Sequence, residues 1–526
     1  MGSANPSADD QNPVMRDTTP LSSRTRTARG MALAGLASVA LLNGATAAET
    51  EPGASALPAP VREALARAGL PLEALHVVVQ PVDSRQATIR HRADLPVNPA
   101  SLAKLVTTAA ALDRLGPAFQ WATPVWLEGT VEGGVLNGAL HLQGRGDPSL
   151  VVERLWLLLR RVQALGVREI RGDIVLDSSL FAMPPRDPGA FDGEAQRPYN
   201  AQPSALLVNH HAVQYRFVPD AAAGVARIAV EPPLAGPAPP ATLPLSNGPC
   251  GDWRAALKAR FDAETGTRFA GAYPASCAEQ AWFVADPQPA SFNARAIEGL
   301  WRSLGGTLGG QVRNGPPPAR RADFEQLSPT LAEAVRDINK LSNNLMSEQL
   351  ALTMALQASP GRPATPGAAR VLLESWLAAR LGRAELPAGE LLVNGSGLSR
   401  DSRLSADTLA ALLQSVWSGA QMPELLASLP VAGLDGTLRR AQPATAHLKT
   451  GSLRDVSGVA GIVRSADGSR HVLVAIAQHP NAFAARPALE ALVQHVAGRE
   501  GVARTPPPPR KPVPVKNRPA AVKPAR

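Results

Sequence analysis

Strand patterns at both ends of the chain constrain its fold more than any other sequence feature. Short runs rich in β-branched residues occur at 76–82 and 87–91, around a turn at 83–85. Similar runs recur close to the end, at 445–449, 456–463 and 471–477. Helical periodicity marks the segments between and beside them: 58–70, 101–115, 331–356, 367–381 and 487–497. We therefore predict an α/β (α+β) sandwich, whose antiparallel sheet is flanked by helices and joins both ends of the chain.

The stretch 117–285 differs from its surroundings. It holds short strand-like runs, turns rich in Gly and Pro, and both cysteines of the chain. We predict one or two inserted β-rich subdomains here, between a first part of the catalytic domain at 57–116 and a second part at 286–502.

The two cysteines, Cys250 and Cys277, are 27 residues apart. In an exported protein, one pair at this spacing predicts a single disulfide. Two unpaired buried thiols are the alternative.

The two ends of the chain differ in composition from the rest. Residues 1–48 combine arginines, a 12-residue apolar run and small residues, which predicts a secretory signal peptide and a periplasmic protein. Residues 503–526 carry seven cations and no acid, and we expect a disordered Pro-rich basic tail. Weak contact with an anionic surface and a purely solubilising end are the two alternative roles for this tail. Without these ends the net charge of +9 falls to about +1, which argues against nucleic-acid binding.

Lysine is scarce in this chain and therefore informative. Arginine outnumbers lysine 46 to seven, and three of the lysines lie in the tail. Lysine can lose its proton on burial and act as a base, whereas arginine keeps its proton. We therefore interpret lysines beside Ser or Thr as candidates for chemistry.

The first such motif is Ser101-Leu-Ala-Lys104, at the start of a predicted helix. Residues three apart on a helix share a face, so Lys104 can direct its amine at the Ser101 hydroxyl. The helix start also favours the negative charge of an alkoxide. Alone, the motif also fits a helix-capping Ser and a surface Lys.

The second motif is Ser342-Asn-Asn344, which follows Lys340. Its hydroxyl can pass on a proton and its amide can hold a peptide group. A helix N-cap cluster is the alternative interpretation.

The third motif is Lys449-Thr450-Gly451-Ser452, on a predicted strand. Alternation places Lys449 with Gly451 on one side and Thr450 with Ser452 on the other. The cation and hydroxyls suit a carboxylate, and the glycine allows a ligand to approach the backbone. An ordinary edge strand is the alternative.

Together, the three motifs occur in the order found in penicillin-binding proteins and serine β-lactamases. The chain resembles the low-molecular-mass class C penicillin-binding proteins, the D-alanyl-D-alanine carboxypeptidase/endopeptidase group, over nearly all of 57–500. Further matching segments lie at 146–150, 394–399 and 431–438. The 241-residue gap from Ser101 to Ser342 resembles this family's inserted domains and is far longer than in β-lactamases. The resemblance implies a penicillin-binding/β-lactamase-like transpeptidase domain.

The resemblance also implies roles for single residues. Ser101 would attack the carbonyl between two D-alanines of a peptidoglycan stem peptide, and Lys104 would accept its proton. Ser342 and Lys449 would pass a proton to the leaving amine. The residues implied in substrate binding are Asn344, Thr450, Gly451, Ser452 and Asp147, the last facing the cationic end of a diaminopimelate side chain. Penicillins and other β-lactam antibiotics would acylate Ser101.

Two other functions use the same motifs. A serine β-lactamase or esterase would release penicillin quickly, and a catalytically inactive wall-binding protein would form no adduct. The adjacent His210 and His211 lack companions at metal-ligand spacing, and we expect no cofactor and no metal.

Overall fold

The computed structural model describes residues 56–262 and 264–498. The predicted signal peptide at 1–48 and the basic tail at 503–526 lie outside the described residues. No helix in the described part of the chain is both long and apolar enough to cross a membrane.

The helices of the described residues include most of the segments with helical periodicity. The α-helices are α1 (Ala59–Arg67), α2 (Lys104–Arg114), α3 (Val152–Ala164), α4 (Trp253–Ala256), α5 (Pro289–Ser303), α6 (Leu331–Leu341), α7 (Asn344–Ala358), α8 (Pro366–Arg380), α9 (Ala406–Trp417), α10 (Met422–Ser428) and α11 (Arg486–Val496). The predicted helix at 101–115 begins with a 3-10 turn, Ala100–Ala103, before α2.

The strands concentrate at the two ends and in the middle of the described chain. They are β1 (Leu75–Pro81), β2 (Ile89–His91), β3 (Gln120–Glu132), β4 (Val135–Gln143), β5 (Glu169–Ile170), β6 (Ile174–Asp177), β7 (Ala212–Asp220), β8 (Val225–Glu231), β9 (Thr242–Ser246), β10 (Ala259–Asp262), β11 (Gly266–Phe269), β12 (Tyr273–Pro274), β13 (Gln280–Ala285), β14 (Thr307–Leu308), β15 (Val312–Asn314), β16 (Phe324–Thr330), β17 (Ala446–Leu453), β18 (Val456–Arg464) and β19 (Arg470–Gln478).

One five-stranded sheet joins the two ends of the described chain, in the order β17-β18-β19-β1-β2. Every neighbouring pair in it is antiparallel, and β1 pairs with β19 from Leu75 opposite Ala477 to Pro81 opposite His471. This arrangement confirms the predicted antiparallel sheet built from both ends.

Helices cover both faces of this sheet, because its strands direct apolar side chains to each face. Along β19, Val472, Val474 and Ile476 pack in the core that includes α2, α7 and α9. The intervening Leu473 and Ala475 pack instead with α1 and α11. Side chains alternate across a strand, so a continuous apolar run is buried on both faces.

The strands from β3 to β16 form separate sheets. Seven of them, β3 to β6 and β14 to β16, make one sheet, and β7, β8, β9, β12 and β13 make another. Strand β16 ends at Thr330 and pairs with β3, so the paired strands of this region continue past residue 285. A disulfide joins Cys250 to Cys277 beside the second sheet, which confirms the predicted pairing.

Candidate active site

Ser101 lies in the 3-10 turn that leads into α2. The residue before it, Ala100, has φ 47° and is fully buried. Its backbone N–H donates to the Asn98 side chain at 2.8 Å. A left-handed alanine is strained and persists only where its surroundings hold it. The chain therefore fixes the backbone immediately before the Ser101 hydroxyl.

Lys104 is fully buried at the start of α2, with three polar atoms around its amine. Nζ lies 2.9 Å from Ser101 Oγ, 2.6 Å from Asn344 Oδ1 and 2.6 Å from the Ser396 carbonyl oxygen. Burial, and secondly the charge of Lys449, lower the pKa of Lys104 well below its ordinary value.

These three contacts accommodate a neutral amine, the form that the lowered pKa of Lys104 favours. A neutral amine has two N–H donors and one lone pair. Asn344 Oδ1 and the Ser396 carbonyl can only accept, so they take both donors. The lone pair then remains for the proton of the Ser101 hydroxyl, which is the geometry that a general base requires.

Ser342 occupies the break between α6 and α7. It has φ 57°, a left-handed conformation that ends α6. The next helix is capped by Asn343, whose side chain accepts from the Met346 N–H at 3.1 Å. The capping alternative therefore applies to Asn343, which leaves the Ser342 hydroxyl and the Asn344 amide available for the site.

Lys449 meets Ser342 across 107 residues of sequence. Its Nζ lies 2.9 Å from Ser342 Oγ and 2.8 Å from the Thr450 carbonyl oxygen. The side chain is fully buried, and this burial lowers the pKa of Lys449 to about 7. Its charge can therefore change near neutral pH.

Gly451 lies against the segment that carries Ser101. A Cβ atom at Gly451 would come within 2.9 Å of the Pro99 carbonyl oxygen and 3.1 Å of the Leu102 side chain. The space that a side chain at Gly451 would need is therefore occupied by the protein's own segment around Ser101. Its place on the same strand face as Lys449 follows the predicted alternation.

A cavity of about 500 Å³ opens beside the nucleophile. Ser101, Ser342, Thr450 and Ser452 line it, so each of the three motifs contributes a hydroxyl. The cavity continues past Arg440 and on to α11. The structure thus brings together all four predicted catalytic residues and places predicted binding residues around an open space.

Three site residues were absent from the predicted set. The Ser396 carbonyl accepts from Lys104, and the Ser396 hydroxyl donates to Glu348 at 2.7 Å. Thr437 bonds Thr450 through their hydroxyls at 2.8 Å. Ser396 and Thr437 lie in segments that the family resemblance had marked without assigning roles. Glu348 had no signal of its own, because only the fold brings it near Lys104.

Two further candidates lie outside the hydrogen-bonded cluster. Asp147 is 5% exposed, and its carboxylate accepts from the Ser149 N–H at 2.7 Å, as a turn Asp does. Burial raises the pKa of Asp147 to about 6.

Lys340 forms hydrogen bonds with Asp435 and the Leu429 carbonyl oxygen, both at 2.6 Å, and so holds α6 in place. The described residues contain no cluster of three His, Cys, Asp or Glu side chains able to hold a metal.

Comparison with known proteins places this geometry in a family. The model of the D-Ala-D-Ala carboxypeptidase 3 (S13) family matches residues 57–498. A D-alanyl-D-alanine carboxypeptidase from Actinomadura sp. (strain R39) is 33% identical over 397 residues, which cover 70% of this chain and 71% of that protein. The D-alanyl-D-alanine carboxypeptidase DacB from Haemophilus influenzae is 25% identical over 403 residues, covering 73% and 80%.

A solved structure shares the fold. The crystal structure of penicillin binding protein 4 (dacB) from Haemophilus influenzae superposes with a TM-score of 0.66 and 22% identity. The match covers 83% of this chain and 98% of that chain. The predicted fold class is therefore confirmed.

Proposed function

The chain belongs to the D-Ala-D-Ala carboxypeptidase 3 (S13) family, and we propose that it cleaves D-alanyl-D-alanine stem peptides of peptidoglycan through an acyl-enzyme on Ser101. The observation that carries this proposal is the pair of buried lysines, each bonded to one serine hydroxyl at 2.9 Å. Such an arrangement can move protons without an imidazole.

In the first step, Ser101 Oγ attacks the carbonyl carbon between the two D-alanines. Its proton passes to the lone pair of Lys104, and the carbonyl oxygen becomes negative. The backbone N–H groups of Ser101 and Ser452 stabilise this oxyanion. Asn344 Oδ1 is occupied by Lys104, so its Nδ2 group is free to donate to the substrate's peptide carbonyl.

In the second step, the bond to the terminal D-alanine breaks. The leaving amine takes a proton from Ser342, which Lys449 replaces through their hydrogen bond. The proton that Lys104 took from Ser101 then passes to Lys449, so Lys104 is neutral again and Lys449 is charged again. Before cleavage, Lys449, Thr450 and Ser452 hold the terminal carboxylate. Water then attacks the acyl-enzyme; Lys104 accepts its proton and passes that proton to Ser101 Oγ as the bond to the shortened peptide breaks.

Asp147 is proposed to accept the cationic end of a diaminopimelate side chain. The loop that carries Asp147 contacts α7, because the Gly146 carbonyl oxygen lies 3.5 Å from Thr353 Oγ1. Since the pKa of Asp147 is about 6, its carboxylate is negative above that pH.

The same site is proposed to bind β-lactam antibiotics, whose strained amide mimics the dipeptide. One solved structure of the Haemophilus influenzae protein is described as complexed with a novel β-lactam. We also propose export to the periplasm, where the Cys250–Cys277 disulfide would persist in an oxidising compartment.

Mass spectrometry after incubation with penicillin G tests the nucleophile. We expect one covalent adduct on Ser101 and none on the Ser101→Ala variant, while the exposed Ser359→Ala control reacts like wild type. Absence of an adduct in wild type would support an inactive wall-binding protein. Rapid release of hydrolysed penicillin would instead identify a β-lactamase.

Defined muropeptides test the substrate. We expect release of D-alanine from pentapeptides, and products from cross-linked dimers measure endopeptidase activity. If neither substrate is cut by a protein that penicillin acylates, the proposed peptide specificity is wrong.

A further inference from the structure

A second polar cavity, of about 730 Å³, lies in the part of the chain between β3 and β16 that forms the separate sheets. Among the described residues, none lines both this cavity and the cavity beside Ser101. The end of β6, the turn before β7, the start of α5 and the strand β15 surround it. We call it the His211 cavity, and its polar lining includes Asp177, Ser178, Ser179, Ser204, His211 and Asn314.

His211 is the unusual member of this lining. It is 7% exposed, and neither of its ring nitrogens makes a hydrogen bond of ordinary geometry among the described residues. The Asn293 side chain and the Gln202 backbone lie close enough to the ring to oppose the lowering of its pKa. Asn293 nevertheless donates to the Leu206 carbonyl at 2.7 Å and accepts from the Val208 N–H at 3.4 Å, and neither group forms a well-aligned hydrogen bond with a ring nitrogen. Buried polar groups are nearly always paired, so an unpaired imidazole beside a cavity points to a missing ligand.

The backbone that presents this ring is strained. Asn209, His210 and His211 have φ values of 44°, 56° and 51°, in the left-handed region. The turn is held by the Asn209 N–H, which donates to the Leu150 carbonyl at 3.0 Å. His210 Nε2 also lies 3.0 Å from the Pro148 carbonyl oxygen. Three consecutive non-glycine residues in this region are costly and are found mainly where function requires them.

The charges in the cavity favour a neutral ligand. Burial lowers the pKa of His211 to about 4, so at neutral pH the ring has one donor and one acceptor. A hydroxyl group matches both. Asp177 is 5% exposed and accepts from Gln143 and Ser179, yet its oxygens retain lone pairs for ligand hydroxyls. Its carboxylate disfavours an anion, and the nearby Arg313 is already paired with Asp173.

We propose that the His211 cavity binds a neutral saccharide through His211, Asp177 and the surrounding serine hydroxyls. Its volume accommodates a small oligosaccharide, in the range of ordinary ligand sites. The natural occupant would be the glycan strand of peptidoglycan, and that identification rests on the proposed function. Binding there would hold the polymer while its stem peptides reach Ser101.

Calorimetric titration of the full chain with the N-acetylglucosamine tetrasaccharide tests this proposal. This probe carries sugar and no peptide, so its binding does not depend on catalysis. Ser179→Trp places a large ring at the exposed edge of the cavity, and Ser359→Trp is the matched control at an exposed position outside the cavity lining. Inorganic phosphate tests the competing possibility of an anion site.

We expect wild type, Ser359→Trp and Ser101→Ala to bind the tetrasaccharide equally, and Ser179→Trp to bind at least about tenfold more weakly, a loss of about 1.4 kcal/mol. Ser179→Trp should still be acylated by penicillin at the normal rate. No binding by wild type, equal binding by Ser179→Trp, or displacement of the sugar by phosphate would each overturn the proposal. Failure of the proposed function would appear separately, as loss of the Ser101 adduct in wild type.

Discussion

Lys340 Nζ lies 2.6 Å from the Asp435 carboxylate and so ties the end of α6 to the loop that carries Thr437. Two residues after Lys340 the chain reaches Ser342, and Thr437 bonds Thr450 on the other side of the site. Asp435 also accepts from the Val431 N–H at 2.8 Å, which closes its own loop. One ion pair therefore positions both Ser342 and Thr437.

Replacing Asp435 with Asn should loosen this connection. Because the Asp435 side chain is 34% exposed, we expect a loss of about 1–3 kcal/mol of stability, less than for a fully buried pair. The rate of acylation by a fluorescent penicillin should fall about tenfold. Glu63→Gln is the control, since Glu63 pairs with Arg67 on the surface. Equal effects of both changes would contradict the positioning role.

Replacing Lys104 with Arg should slow acylation severely. Arginine keeps its proton at every relevant pH, so it offers no lone pair to Ser101. Rates should fall by about 10²- to 10⁴-fold, the usual contribution of a general base. Mass spectrometry of the penicillin adduct and circular dichroism of the fold are the measurements. Lys258→Arg, outside the site, should react like wild type, and full activity of Lys104→Arg would refute the mechanism.

The pH dependence of kcat/KM should be bell-shaped. Activity rises with pH as Lys104 loses its proton, because only the neutral amine is a base. It declines above about pH 7 as Lys449 becomes neutral and binds the substrate carboxylate less well. In a Lys449→Arg variant the cation persists, so any remaining activity should lack the alkaline decline. An unchanged decline in that variant would assign it to another group.

Gly397→Ala should disrupt the nucleophile. A Cβ atom at Gly397, where φ is 75°, would lie 1.9 Å from the Ala100 carbonyl oxygen, which must then move together with Ser101. Acylation should fall by more than about tenfold, since small displacements of reacting groups are costly. Gly361→Ala is matched, with φ 79° and nothing within 4 Å. It should lose only about 1–2 kcal/mol of stability and keep its activity.

Removal of the Cys250–Cys277 disulfide should destabilise the inserted region and spare the chemistry. Closing a loop of this length contributes about 3–4 kcal/mol by limiting the unfolded chain. A double Cys→Ser variant should therefore unfold at a lower temperature, measured by calorimetry. Its penicillin acylation rate at 25 °C should match that of wild type. A large fall in that rate would show that the inserted region positions Ser101.

The sequence by itself determined the features that depend on neighbours along the chain. Short runs rich in β-branched residues predicted the strands β1, β2 and β17 to β19, and i, i+3 spacing predicted that Lys104 would reach Ser101. The order of the three motifs predicted the family, which the family match and the Actinomadura relative confirm. Such patterns survive in sequence because backbone geometry alone relates residues only a few positions apart.

Only the tertiary structure decided how these pieces act together. It brought Ser342 within reach of Lys449, supplied the Ser396 carbonyl to Lys104, and used Gly451 to pack against the Ser101 segment. It also left both ring nitrogens of His211 without a hydrogen bond of ordinary geometry beside a cavity. Desolvation and three-dimensional contact depend on segments distant in sequence, so the pKa values and partners of these groups exist only once the chain is folded.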